Sequence, residues 1–202
     1  MKWWKTAAAL ALSALLAVAC STSTPELAYD EEVAGWRAEK DRFMRSSESP
    51  LPEPQRGTFA PLPYFDVNQE YRVPAALKTG AAEDILEMPT STGQRRHMRR
   101  IGKLEFTVKG ESLTLTAFAD ASDTQLRRLF VPFFDLTNGA ETYPGGRYLD
   151  LDRTASGVYD LDFNRAYHPF CLFNAEYDCP VPPRENRLAI PIRAGEKLGT
   201  AK

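Results

Sequence analysis

The stretch Leu104-Glu105-Phe106-Thr107-Val108-Lys109-Gly110-Glu111-Ser112-Leu113-Thr114-Leu115-Thr116-Ala117-Phe118-Ala119 contains two alternating apolar runs around a short polar break. Alternation rich in β-branched and aromatic residues marks strands over Leu104 to Val108 and Leu113 to Ala119. Lys109-Gly110-Glu111-Ser112 supplies the hairpin turn. Further out, Leu126 to Phe134 is a very apolar strand in which Pro132 marks an edge or a bulge. Arg147 to Asp152, Val158 to Phe163 and Leu188 to Arg193 read as strands, and Tyr71 to Val73 and Ile85 to Met88 as weaker ones.

Toward the N-terminus the pattern changes. Val33, Trp36, Lys40 and Phe43 recur at three- and four-residue spacing, which predicts an amphipathic helix over Tyr29 to Arg45. Asp30, Glu31 and Glu32 in its first turn and Arg42 and Arg45 in its last suit the helix dipole. Residues 46–63 hold Pro50, Pro52, Pro54, Pro61 and Pro63, too dense for a regular element. Phe59, Leu62, Tyr64 and Phe65 favour a segment that wraps the domain over a free linker. The expected architecture is mainly β: a small antiparallel barrel or sandwich with one N-terminal amphipathic helix, forming a single domain over 29–202.

The first nineteen residues are a leader: basic Lys2 and Lys5, then an apolar run from Thr6 to Ala19, too short to span a bilayer as a helix. Leu16-Ala17-Val18-Ala19-Cys20 resembles the lipobox of bacterial lipoproteins, with leucine one position early. The alternative is an ordinary cleavable signal with a chance cysteine. The expectation is a signal peptide over 1–19, a lipid on Cys20 and a polar tether over 20–28. The site is then the cell envelope; Ser21 in place of Asp favours the outer membrane, facing the periplasm, in a Gram-negative host.

The chain has 202 residues and a formal net charge of −2; without Lys2 and Lys5 that becomes −4. No basic excess marks a nucleic-acid binder. Three cysteines are too few for a disulfide scaffold. In an oxidising compartment Cys171 and Cys179 favour a disulfide. A metal site with His168 or a pair of free or redox thiols are the alternatives.

Period two places Asp150 and Asp152 on one face of their strand, with Asp160 and Asp162 on one face of the next. A five-residue loop predicts an antiparallel hairpin in which Asp150 faces Asp160 and Tyr148 faces Asp162. Like charges directly opposed are destabilising, so a nearby arginine, a bound cation, a raised pKa or a bulge that shifts the register is expected there. The stretch Arg95-Arg96-His97-Met98-Arg99-Arg100 reads as an anion site or as a basic strand start that pairs with this acidic hairpin. No Gly-x-Ser-x-Gly is present, which argues against a serine triad. Gly145-Gly146 reads as a tight turn, since no Lys-Ser/Thr follows. Pro182 to Leu188 is a rigid loop whose Glu185 and Asn186 point into a pocket or satisfy nearby backbone.

Several motifs occur in order: Thr90-Ser91-Thr92-Gly93, Phe130-Val131-Pro132-Phe133-Phe134-Asp135-Leu136-Thr137-Asn138-Gly139, Glu141-Thr142-Tyr143-Pro144-Gly145-Gly146-Arg147-Tyr148-Leu149-Asp150, Asp162-Phe163-Asn164-Arg165-Ala166-Tyr167-His168-Pro169, and Cys179 to Arg187. From Trp36 to Glu196 the chain resembles the bacterial and archaeal family called domain of unknown function 1684. The resemblance implies a compact β domain and no stated activity, cofactor or catalytic residue. Its motifs single out Thr92, Glu141, Tyr143, Arg147, Asp150, Asp162, Asn164, Tyr167, Glu185 and Asn186 as candidate pocket residues. Asp135 and Asn164 also suit turns.

The favoured expectation is an envelope lipoprotein that binds a small molecule or an envelope partner. The alternatives are a hydrolase using carboxylates beside Arg147, and a structural part of an envelope complex. An enzyme predicts a pocket where two of these carboxylates converge with Arg147 or Tyr143. A binding module predicts an apolar groove with few titratable groups.

Overall fold

The computed structural model describes residues 25–80 and 84–199. The leader, Cys20 and the residues up to Thr24 lie outside the described residues. Helix α1 spans Pro25–Met44 and a one-turn helix α2 spans Glu53–Arg56. Seven strands follow: β1 Arg72–Lys78, β2 Asp84–Pro89, β3 Arg95–Val108, β4 Glu111–Asp120, β5 Arg128–Phe133, β6 Arg147–Asp152 and β7 Val158–Asp162. The helix starts inside the expected tether, where a proline in the first turn is tolerated because that N–H has no intrahelical partner.

All strand pairings are antiparallel, in the order β6-β5-β4-β3-β1-β7, with β2 beside the first half of β3. The sheet curls into a nearly closed barrel. Register at the β3–β4 turn runs Val108 to Glu111, so only Lys109 and Gly110 form the loop. Both have positive φ, 51° and 83°, as a type I′ hairpin turn requires.

Strand β3 is fourteen residues long because, on the edge away from β4, it serves two partners. Its first half pairs with β2 and its second half with β1. The switch occurs at a register shift between Arg100 and Gly102. A Cβ on Gly102 would lie 2.5 Å from the Lys78 carbonyl oxygen, so only glycine lets the two backbones approach this closely.

Inward side chains of alternate positions fill the barrel, among them Leu104, Phe106, Val108, Leu115, Ala117, Leu129, Val131, Phe133, Leu149, Leu151, Tyr159 and Leu161. Phe163 caps this core, edge-on to Phe133 at 5.4 Å. A second cluster of Met44, Leu51 and Leu62 lies under the proline-rich segment, which therefore wraps the domain. The Asp41 carboxylate accepts the Leu62 N–H at 2.9 Å and holds that segment on α1.

Leu188 to Arg193 is not a strand. Pro191 has no N–H to offer, and the Ile192 backbone is satisfied by side chains: its N–H donates to Asp135 at 3.1 Å and its carbonyl accepts from Arg147 at 2.7 Å. An irregular segment threaded through side-chain bonds replaces the expected ladder.

Candidate functional site

The expected hairpin between β6 and β7 does not pair. These two strands are the ends of the sheet: β6 bonds to β5, with Asp150 opposite Phe130, and β7 bonds to β1, with Asp160 opposite Pro74. An open seam lies between them. Each acid finds a different partner. Asp160 accepts from Arg72 at 2.6 Å, and Asp152 from Arg128 at 3.3 Å. Asp162 accepts the Tyr29 hydroxyl at 2.9 Å and the Asn164 N–H at 3.0 Å, with Arg165 at 3.3 Å. Asp150 accepts the Tyr167 hydroxyl at 2.8 Å. The relieving arginines thus come from β1, β5 and the turn after β7. The basic stretch at the start of β3 pairs instead with Asp84, Glu87 and Glu185.

A cleft of about 520 Å³ occupies the seam, lined by Trp36, Leu149, Leu151, Tyr159 and Tyr167 with these carboxylates, Glu32, Arg128 and Arg165. Asp150 has over a third of its surface exposed, yet its carboxyl is hemmed in by neighbouring side chains. Desolvation pushes that carboxyl above the usual range, and the bond from Tyr167 pulls the other way. Among the described residues no group of three or more His, Cys, Asp or Glu side chains is placed to hold a metal ion.

Across Tyr167 lies a second hollow of about 380 Å³, built chiefly from rings. Phe130, Tyr148, Tyr167, Phe170 and Tyr177 line it with Met98, Pro169, Cys179 and Pro180, and with the charged Arg96, Asp120 and Asp178. Phe130 and Tyr148 meet edge-on at 4.8 Å, Tyr148 and Tyr167 at 5.7 Å, and Phe170 and Tyr177 at 5.4 Å. The Tyr148 hydroxyl donates to the Pro180 carbonyl, so the ring is fixed and its polar end is satisfied inside the wall. The two acids are also engaged: Asp120 by Ser122 and Asp178 by Thr92.

Behind Tyr167 is a buried charge network. The Lys40 ammonium sits 4.2 Å from the Tyr167 ring centre and 2.6 Å from Glu196 Oε1. Glu196 is fully buried, and its Oε2 accepts the His168 N–H at 2.7 Å. His168 Nε2 accepts the Tyr143 N–H at 3.2 Å, which places the ring proton on Nδ1, facing Glu196. Burial, with Arg147 and Lys40 nearby, drives the His168 pKa down to about 3, so the ring is neutral.

Of the ten candidate positions, Asp150, Asp162 and Tyr167 meet in the seam cleft, and Tyr167 also lines the aromatic groove. The others are dispersed. Arg147 is fully buried and lines neither hollow; it binds Asp135 at 2.8 Å and the carbonyls of Ala194, Ile192 and Glu196. Asn186 bonds the Thr116 N–H and the carbonyls of Thr116 and Pro132. Asn164 ties Asn68, Tyr29 and Asp162 together. Glu141 pairs with Arg193, Glu185 with Arg100, and Thr92 with Asp178. Tyr143 reaches His168 and Cys171. Cys171 and Cys179 are adjacent free thiols in this structure, so the expected bridge is not formed here.

Sequence reasoning missed Lys40, Glu196 and His168 as a network, and most of the groove's rings. Gly195 was one available signal. Its φ is +77°, and a Cβ would lie 2.5 Å from the Ala166 carbonyl, so the backbone beside Glu196 is pressed against the domain.

The family model "Protein of unknown function (DUF1684)" matches residues 57–197. The chain belongs to the DUF1684 family. An uncharacterized protein of the same fold, from Haloarcula marismortui and solved by solution NMR, is 36% identical to this DUF1684 chain. The match covers 86% of this chain and 96% of that one, with a TM-score of 0.67. No curated protein matches the chain.

Proposed function

We propose that this DUF1684 protein is a lipid-anchored protein of the cell envelope whose barrel binds a small, largely apolar ligand in the aromatic groove. One observation carries the reading: five aromatic rings line the hollow, and its two acids, Asp120 and Asp178, are already bonded to Ser122 and Thr92. Such a lining suits binding by ring contacts and apolar burial.

The leader and Cys20 support an envelope location, with acyl chains on that cysteine as the membrane contact. Helix α1 begins five residues after Cys20, so the anchor leads directly into the helix that walls the seam. Nucleic acid is not a partner on this reading, since the chain without its leader carries net −4.

One observation favours the hydrolase alternative: the raised pKa of Asp150 beside Asp162 in the seam. Against it, each seam acid holds a partner, and neither Arg147 nor Tyr143 reaches the cleft. For a structural role, the large exposed apolar residues Leu27, Ile85, Leu136 and Val158 come from four separate elements.

Native mass spectrometry of the exported chain, purified without chelators, tests the reading. A co-purifying organic mass, retained by Asp150→Asn and lost in Tyr177→Ala, is the expected result. Loss in Asp150→Asn with retention in Tyr177→Ala moves the site to the seam.

A further inference from the structure

We propose that Cys171 and Cys179 are a reversible thiol–disulfide site that braces one wall of the aromatic groove, and that the bridged form binds the groove ligand more tightly. The coupling rests on the groove being the ligand site.

The two sulfurs are already neighbours. The Cys171 N–H donates to Cys179 Sγ at 3.2 Å, and the thiols lie within hydrogen-bonding reach of each other. Among the described residues no third ligand makes them a metal site. The nearby His168 spends its ring on the Tyr143 N–H and Glu196.

The segment they enclose is the groove wall. Cys179 itself, Tyr177 and the adjoining Phe170 face the hollow. At one end the segment is fixed, since Cys179 exchanges two bonds with Ser91, at 2.8 and 3.0 Å. At the other end Phe170 stacks on Phe43 of α1 at 6.0 Å. Between these points the backbone bonds mostly within itself, as from Tyr177 to Asn174 at 3.1 Å. A covalent link across the base of this loop removes freedom that a ligand would otherwise have to remove on binding.

The two sulfurs differ in access. Cys179 is only 8% exposed, and burial pushes its thiol up to about 11, which keeps it protonated; Cys171 is partly open. Cys171 is therefore the sulfur that meets an oxidant, and Cys179 the one that resolves. The oxidant is an organic disulfide. The Cys171 thiolate attacks one of its sulfurs, the oxidant's S–S bond breaks, and one thiolate leaves. Cys179 then loses its proton and attacks the Cys171 sulfur. The internal S–S bond forms and the second thiolate departs. Two electrons and two protons pass from the protein to the oxidant, which ends as two thiols.

The test uses the full-length chain in lipid nanodiscs, equilibrated with oxidised and reduced glutathione. Intact mass should fall by two hydrogens on oxidation and return on reduction. Cys179→Ala should trap one glutathione on Cys171, and Cys171→Ala should trap none. 2-Naphthol, titrated by calorimetry against empty nanodiscs, should bind the bridged form about three- to tenfold more tightly, the effect of fixing one side chain beforehand. Equal affinity in both forms overturns the brace. Two thiols that are alkylated independently, with no mass loss, overturn the bridge. A bridge that forms while 2-naphthol binds neither form defeats the groove reading, and the coupling with it, but not the thiol chemistry.

Discussion

Replacing Lys40 by Met cuts the ion pair between α1 and the fully buried Glu196. The Lys40 side chain is 13% exposed, and its Glu196 partner 1%. Removing the ammonium leaves a carboxylate sealed in the interior with only the His168 N–H at 2.7 Å and its ring at 3.4 Å. Breaking one side of a buried pair costs about 3–5 kcal/mol. A methionine at this place lies beside the Tyr167 and Trp36 rings and returns about 0.3–1.5 kcal/mol through sulfur–aromatic contact. The net cost is then about 1.5–4.7 kcal/mol, a large part of the roughly 5–15 kcal/mol that holds a domain together. In a domain this size each kcal/mol lowers Tm by about 2–4 °C. Glu196→Gln should cost less, about 1–2 kcal/mol, because the lysine can turn toward solvent. The double variant buries no unpaired charge and should recover about 1–3 kcal/mol of the summed losses. Urea unfolding followed by circular dichroism measures all four corners of the cycle. A Lys40→Met cost below about 1 kcal/mol, with additive effects in the double variant, would refute the reasoning.

Arg147→Ala should leave the buried Asp135 charge without its cation and three carbonyls without their donor and unfold the domain outright, so its loss of ligand binding should track loss of circular dichroism. Gly102→Ala forces a methyl to 2.5 Å from the Lys78 carbonyl and should cost about 1–3 kcal/mol in thermal unfolding, with groove binding retained. His168 adds a pH dependence. Its folded pKa, about 3, lies below the ordinary 6.5, so the unfolded chain binds the extra proton between those values. Stability should therefore fall as pH drops from 6.5 toward 3, with a slope approaching about 1.4 kcal/mol per unit from this group. Urea midpoints at pH 7, 6 and 5 should show a smaller loss in His168→Asn; equal slopes would exclude this histidine as the source.

The elements that local pattern could specify are the ones legible in the sequence. Leu104 to Ala119 carries both strands and their two-residue turn within one short span, so its pairing needs no knowledge of the rest of the chain. The proline-rich segment was legible as a wrapper because Leu62 must be covered. Pairing of β6 with β7 was read from the same local logic and does not occur. Their register is set by β5, the strand before β6, and by β1, distant in sequence from β7, and four acids weigh against zipping the two strands together. Leu188 to Arg193 has strand composition, yet Asp135 and Arg147 satisfy its backbone from elsewhere. Three of the ten candidate residues gather in the seam. Arg147, Asn164 and Asn186 carry the same polar look because they satisfy buried backbone. A helix surface gives no local sign that Lys40 meets an acid 156 positions later, and lysines are mostly exposed. The groove's rings come from β5, β6 and the loop around Cys171 and Cys179, so only the folded chain brings them together.

The most direct test of the groove as ligand site is a titration of the ¹⁵N-labelled full-length chain with 2-naphthol, followed by amide shifts. The account predicts saturable shifts at Met98, Phe130, Tyr148, Phe170 and Tyr177. Saturable shifts centred on Trp36, Asp150 and Tyr159 of the seam, or none at the groove, would contradict it.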